Sequence, residues 1–156
     1  MLAGCAAAKS PAGARFFDPC ATVRIDAPGA SDAQLAAIDR AIAAWHGVGV
    51  VALQRTLGPA DVTIELVSGS PIFNGEYEPV DAVALVNTDL DADQTAITIA
   101  HELGHALGLV HVPAQQRASV MNPGNLVTWP NADDARAIVS RWGPCSRPPL
   151  ATASSS

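Results

Sequence analysis

The stretch His101-Glu102-Leu103-Gly104-His105-Ala106-Leu107-Gly108-Leu109-Val110-His111 decides how the rest of the chain is read. Two His four residues apart stand one turn above each other on a helix, so both imidazoles reach one point from the same face. Glu102 follows the first of them, and its carboxylate falls beside a metal-held water, where a general base belongs, rather than on the metal. A third imidazole on the next helical turn would lie too far round the cylinder. Gly108 removes that obstacle: without a Cβ it can take a positive φ, end the helix and swing the chain so that His111 returns to the other two. Three His ligands with a fourth position left to water are the pattern of a catalytic zinc site, whereas structural sites are closed by four protein ligands. The expectation is one Zn2+ on His101, His105 and His111, with Glu102 as the catalytic residue.

Chance is a poor competitor. With four His and four Glu among 156 residues, a random His-Glu-x-x-His arises about 0.003 times per chain, and requiring Gly108 and His111 as well lowers this to about five in a million. The remaining histidine, His46, falls at a helix C-terminus, where an imidazolium suits the dipole, and is not expected to bind metal.

His101 to His111 resembles the extended zinc signature of the metzincin clan of metallopeptidases and is nearest in wording to its matrixin branch. Ten residues beyond His111, Met121 stands in Ser119-Val120-Met121-Asn122-Pro123, similar to the clan's Met-turn, whose methionine lies beneath the zinc without binding it. The resemblance spans residues 20–143 and includes a C-terminal helix opened by Asp133 and Asp134. It implies an α+β zincin catalytic domain: a mixed twisted sheet with an active-site helix, a Met-turn and a C-terminal helix. The activity implied is zinc-dependent endopeptidase cleavage of extended protein substrates, through a zinc-bound water and Glu102 as general base. The strand 82–86 would form the cleft rim and pair with the peptide. Residues 120–128, with Leu126 and Val127, would line the pocket beyond the cut unless those two are ordinary core. The alternative function is a non-catalytic, zinc-stabilised envelope module that binds peptides. Departures from the family are also visible. Apart from His46 there is no spare His for a second zinc, Val112 and Asn125 replace the usual Ser and Tyr, and Pro123 replaces the tyrosine ligand of some branches.

Working outward, Val23 and Ile25 sit in a short strand over 22–25 that ends at Pro28-Gly29. Ser31 with Gln34 forms a capping box ahead of Leu35, Ile38, Ile42 and Trp45 at helical spacing, and Gly47 stops the helix. Residues 48–54, 62–67 and 82–86 read as strands, 68–79 as a loop, and helices follow from Asp91 to Leu107 and from Asn131 to Trp142. Tyr77 with Glu76, Glu78 and Asp81 reads as part of that solvated loop, with a cleft-framing or calcium role as the competitor. Residues 1–15 are Ala, Ser, Pro and Gly with little to bury and read as a tether, 16–146 as the domain, and 147–156 as a disordered tail.

Nine Lys plus Arg against 15 Asp plus Glu give a net charge of -6, and without a basic cluster nucleic acid is excluded as a partner. No apolar run is long enough to span a bilayer. Leu2-Ala3-Gly4-Cys5 resembles a lipoprotein acylation site, so Cys5 is a candidate for lipidation, against a chance Ala/Gly-rich start. Cys20 and Cys145 flank the domain. Bridged, they close a loop of about 125 residues, for which the chain-entropy model gives close to 5 kcal/mol; the competing reading is two buried thiols. A bridge places the chain in an oxidising compartment, secreted or anchored to the cell envelope. A monomer acting on an extended peptide is expected. Asp18 or Cys20 is a minor candidate for capping the metal in a latent form.

Overall fold

The computed structural model describes residues 10–50, 52–69 and 73–145. Cys5 and residues 147–156 lie outside the described residues. Ahead of the first strand a strap crosses the molecule: the Arg15 N–H donates to the Pro79 carbonyl (2.7 Å) and the Phe17 N–H to that of Ala106 (2.9 Å).

β1 (Val23–Asp26) leads into α1 (Asp32–Gly47). Ser31 caps that helix reciprocally with Gln34, its hydroxyl accepting the Gln34 N–H (3.3 Å) while the Gln34 side-chain oxygen accepts the Ser31 N–H (2.8 Å). Two of the unpaired N–H groups at the helix start are satisfied in this way. The same device opens α2 (Ala92–Ala106), with Asp91 and Gln94, and α3 (Ala132–Trp142), with Asn131 and Asp134. Between α1 and α2 come β2 (Leu53–Arg55), β3 (Val62–Val67), β4 (Gly75–Glu78) and β5 (Val83–Asn87).

The five strands form one sheet in the order β2-β1-β3-β5-β4, parallel throughout except for β4, which runs antiparallel to β5. Register sets Ile25 beside Val62 and Ile64 beside Ala84. One face is therefore a continuous apolar layer in which Val23, Ile25, Val62, Ile64, Ala84 and Val86 are all buried. Arg24 and Glu65 point to solvent from the other. Helices cover only the apolar face, so these parallel strands alternate instead of reading as unbroken apolar runs. On that face α1 packs against β2 and α2 against β4 and β5, and the two helices lie against each other. The fully buried Trp45 of α1 joins them by donating its indole N–H to the Ala100 carbonyl of α2 (3.0 Å).

Two expectations are corrected. Of the expected strand 48–54, Leu53 and Gln54 pair with β1, whereas the N–H groups of Val48 and Val50 close α1 on the Trp45 carbonyl. The expected loop 68–79 contains β4, whose Gly-Glu-Tyr-Glu sequence has little strand propensity; pairing with β5 supplies what propensity does not.

Cys20 and Cys145 are joined, with Cα atoms 5.2 Å apart, which removes the free-thiol alternative and ties the strap to the exit of α3. Among the described residues no helix is long and apolar enough to cross a membrane.

Candidate active site

α2 ends in a Schellman closure: the Gly108 N–H donates to the His105 carbonyl (2.8 Å) and the Leu109 N–H to that of Gly104 (2.9 Å). Gly108 takes φ +83°, and a Cβ there would run into the Arg141 side chain of α3. α3 also holds this turn through Trp142, whose indole N–H donates to the Leu107 carbonyl (2.8 Å). The chain is thus turned back, and His111 Nε2 comes to 3.2 Å from His101 Nε2 and 3.3 Å from His105 Nε2.

The donor set fits a cation. The Nδ1 atoms of His101 and His105 face the carbonyls of Val120 (2.6 Å) and Leu109 (2.9 Å). A carbonyl only accepts, so both Nδ1 atoms carry the proton and both Nε2 atoms present lone pairs. His111 has at most one proton to offer two lone pairs at its Nε2. Tetrahedral Zn–N bonds of about 2.0–2.1 Å set their nitrogens about 3.3 Å apart, which matches the two observed separations. The three ligand atoms lie within 4.8 Å of one another. With only protein groups around it, His101 is pushed down to about 4, first by burial and then by His105, and burial lowers His105 as well. Both rings are therefore held neutral, the form that binds metal.

Glu102 is 3% exposed. Its carboxylate accepts the backbone N–H of Tyr77, and burial, reinforced by the charge of Glu76, pushes it up to about 8. Oε2 is buried without a hydrogen-bond partner. β4 passes over this carboxylate at Gly75, where a Cβ would lie 2.8 Å from Glu102 Oε1 and 2.7 Å from Thr98 Cγ2. Sequence reasoning missed Gly75; its signal was a lone glycine inside a short polar strand. The Asn87 N–H donates to the Asn74 carbonyl, so the ladder parity pairs Glu76 and Glu78 with β5 and turns the N–H and C=O groups of Gly75 and Tyr77 to the other edge, where Glu102 takes the Tyr77 N–H.

That edge, the three His and Glu102 share one groove of about 640 Å³, to which Phe16 of the strap and Gly124 and Asn125 also contribute. Strand 82–86, found as β5, lies between β3 and β4 and has no free edge, so β4 and not β5 borders the groove. In the 120–128 segment Gly124 and Asn125 line the groove, while Val127 is 83% exposed and outside it. Asn125 holds that loop: its Oδ1 accepts the N–H groups of Val127 and Thr128 and its Nδ2 donates to the carbonyls of Val120 and Thr128. Met121 is buried and packs against α2 at Gly104, where a Cβ would strike its sulfur; its carbonyl accepts the Val112 N–H (3.0 Å) next to His111. Tyr77 belongs to β4 and donates its hydroxyl to the Arg15 carbonyl (2.9 Å). His46 is bonded to the Leu53 carbonyl of β2, and Asp18 accepts the Cys20 N–H; neither joins the His cluster.

No protein-family model matches the chain, and no curated protein matches it. Solved structures do. Archaemetzincin from Methanopyrus kandleri superposes with a TM-score of 0.56 at 17% identity, over 83% of this chain and 97% of that one. High choriolytic enzyme 1, a hatching-enzyme zinc-protease from the medaka fish Oryzias latipes, gives 0.53 at 15% identity, over 82% and 92%. A myroilysin structure gives 0.50 at 12% identity over 86% and 67%, and the chain spans about half, 52%, of a further myroilysin structure. At these identities the likeness defines the fold alone: a mixed α+β architecture with a five-stranded, mostly parallel sheet, of zincin-like type.

Proposed function

We propose that this chain is a zinc-dependent endopeptidase of metzincin type, with one catalytic Zn2+ on His101, His105 and His111 and Glu102 as general base. The single observation that carries the reading is a buried Glu102 Oε2 without a partner, in the same groove as three converging imidazole nitrogens. A metal site kept for stability has no use for such a carboxylate, which disfavours the binding-module alternative. The wording of residues 101–111 supports a matrixin-like affiliation within the fold, and the zinc peptidases among the structural neighbours support the reaction class.

Zinc, when bound, supplies a Lewis acid that polarises the scissile carbonyl and lowers the pKa of the attacking water. The chain's own residues do the rest. Gly75 offers its N–H and C=O and Tyr77 its C=O to an extended peptide, adding a strand to the sheet at β4, while the Tyr77 N–H stays with Glu102. Glu102 takes the water's proton at Oε2 and passes it to the leaving nitrogen as the peptide bond breaks. Glu102, which burial alone pushes toward the neutral acid, would be kept a carboxylate ready to accept that proton by a cation held on the three imidazoles. The Val120 and Leu109 carbonyls hold His101 and His105 in the tautomer that presents Nε2.

The Cys20–Cys145 bond supports an oxidising compartment, and with it export to the medium or the cell envelope, where the chain would act as a monomer on an extended peptide. Anchoring through acylated Cys5 is part of the same reading and is checked by intact mass. The test of function is cleavage of unfolded casein: the protein is expected to cut it, to stop on chelation and to recover with one equivalent of Zn2+. A folded, zinc-loaded chain that leaves casein whole would overturn the endopeptidase reading.

A further inference from the structure

A hydrogen-bonded path leads from His101 away from the groove and into the protein. The His101 Nδ1–H donates to the Val120 carbonyl at 2.6 Å. That carbonyl shares a peptide group with the Met121 N–H, which donates to Ser119 Oγ at 2.9 Å. The Ser119 hydroxyl in turn donates to Asp134 Oδ1 at 2.5 Å. Every donor in the series points the same way, toward the carboxylate, so each bond polarises the next. Water is excluded along the whole path: Ser119, Val120 and Asp134 are 0% exposed and Met121 1%.

Asp134 is held as an acceptor. Besides the Ser119 hydroxyl it accepts Arg117 Nη1 (2.8 Å), the Val120 N–H (3.0 Å) and the Asn131 N–H (3.2 Å). Four donors on two oxygens fill its lone-pair directions. Electron density drawn from the carboxylate to the Ser119 oxygen makes that oxygen a better acceptor for the Met121 N–H. The Val120 oxygen of the same amide then becomes a better acceptor for the imidazole. Asn125 Nδ2 also donates to this carbonyl (3.2 Å), from outside the series.

We propose that Ser119 and Asp134 are positioning residues for the metal site, acting through the Val120–Met121 peptide to fix the His101 Nδ1–H tautomer and to strengthen Nε2 as a zinc donor. The proposal rests on the zinc reading above. His105 is its internal control, because its Nδ1–H donates to Leu109, off this path.

The experiment uses the full chain and Ser119→Ala, with folding verified by thermal unfolding. Two quantities are read: the exchangeable Nδ1–H proton resonances of His101 and His105 in metal-free protein, and the zinc dissociation constant by competition with a chromophoric chelator. Ser119→Ala is expected to shift the His101 resonance upfield, to leave that of His105 in place, and to weaken zinc about tenfold, the lower end of what loss of such supporting bonds does. If Ser119→Ala does not fold, Asp134→Asn, which keeps the volume and removes the charge at the far end, is expected to give the same two changes. Unchanged His101 resonance with unchanged zinc affinity overturns the relay, as does an equal movement of both resonances, which is general loosening. A wild-type chain that takes up no zinc overturns the metal reading itself. That failure is separable, since the His101 resonance reads the relay without metal.

Discussion

Glu102→Gln is expected to hold zinc as the wild type does and to lose casein cleavage by about 10²–10⁴-fold, the usual contribution of a positioned general base. Gln is isosteric and its amide oxygen can still accept the Tyr77 N–H, so the β4 edge above it has no reason to move. It cannot accept a proton at the position of Oε2, which is the atom left buried and unpartnered. The three imidazoles converge without help from Glu102, so metal content is expected to stay at the wild-type value. Zinc content is measured on the same sample as activity. Loss of zinc in Glu102→Gln would make this residue a ligand, and full activity with zinc in place would remove it from the mechanism.

Asp134→Ala is expected to destabilise the domain by about 3–5 kcal/mol, the range for removing one partner of a buried charge pair. The substitution leaves the Ser119 hydroxyl and the Val120 N–H buried without acceptors, strands the Asn131 N–H at the start of α3, and frees Arg117, whose side chain is 23% exposed. Each unsatisfied buried donor costs about 1–3 kcal/mol. The neighbouring Asp133 is the contrast: it is 45% exposed and pairs with Arg136 on the helix surface. Asp133→Ala is expected to change stability by less than about 1 kcal/mol. Urea unfolding of the two variants side by side decides the matter. Equal small effects would mean that the carboxylate of Asp134 is not what holds the segment under His101.

These two aspartates show where reading the sequence stops. Both fall in the first turn of a helix, and on that basis both support the helix N-terminus. Which one turns inward depends on the path of residues 117–120, fixed only by tertiary structure. The His triad was legible because its parts are local: an i, i+4 pair and a glycine stop bring His101, His105 and His111 together through helix geometry alone. Glu102 was legible for the same reason. The Cys20–Cys145 bond was readable from position, since cysteines flanking the domain have nothing else to pair with inside it. β4 was not, because Gly75 to Glu78 has no periodicity of its own and becomes a strand only against β5. That omission gave the groove edge to the wrong strand. Gly75 itself, which keeps β4 clear of Glu102, carries no local signal beyond the absence of a side chain. Asn125 and the strap residue Phe16 line the groove beside His101 and Glu102, from which both are distant in sequence.

The zinc site is tested most directly by anomalous diffraction at the zinc edge from crystals of the zinc-loaded protein. One peak is expected, about 2.0–2.1 Å from the Nε2 atoms of His101, His105 and His111. No fourth protein ligand is expected, and Glu102 should face the open position from within the groove. A peak elsewhere, no peak, or a site closed by a fourth side chain would contradict it.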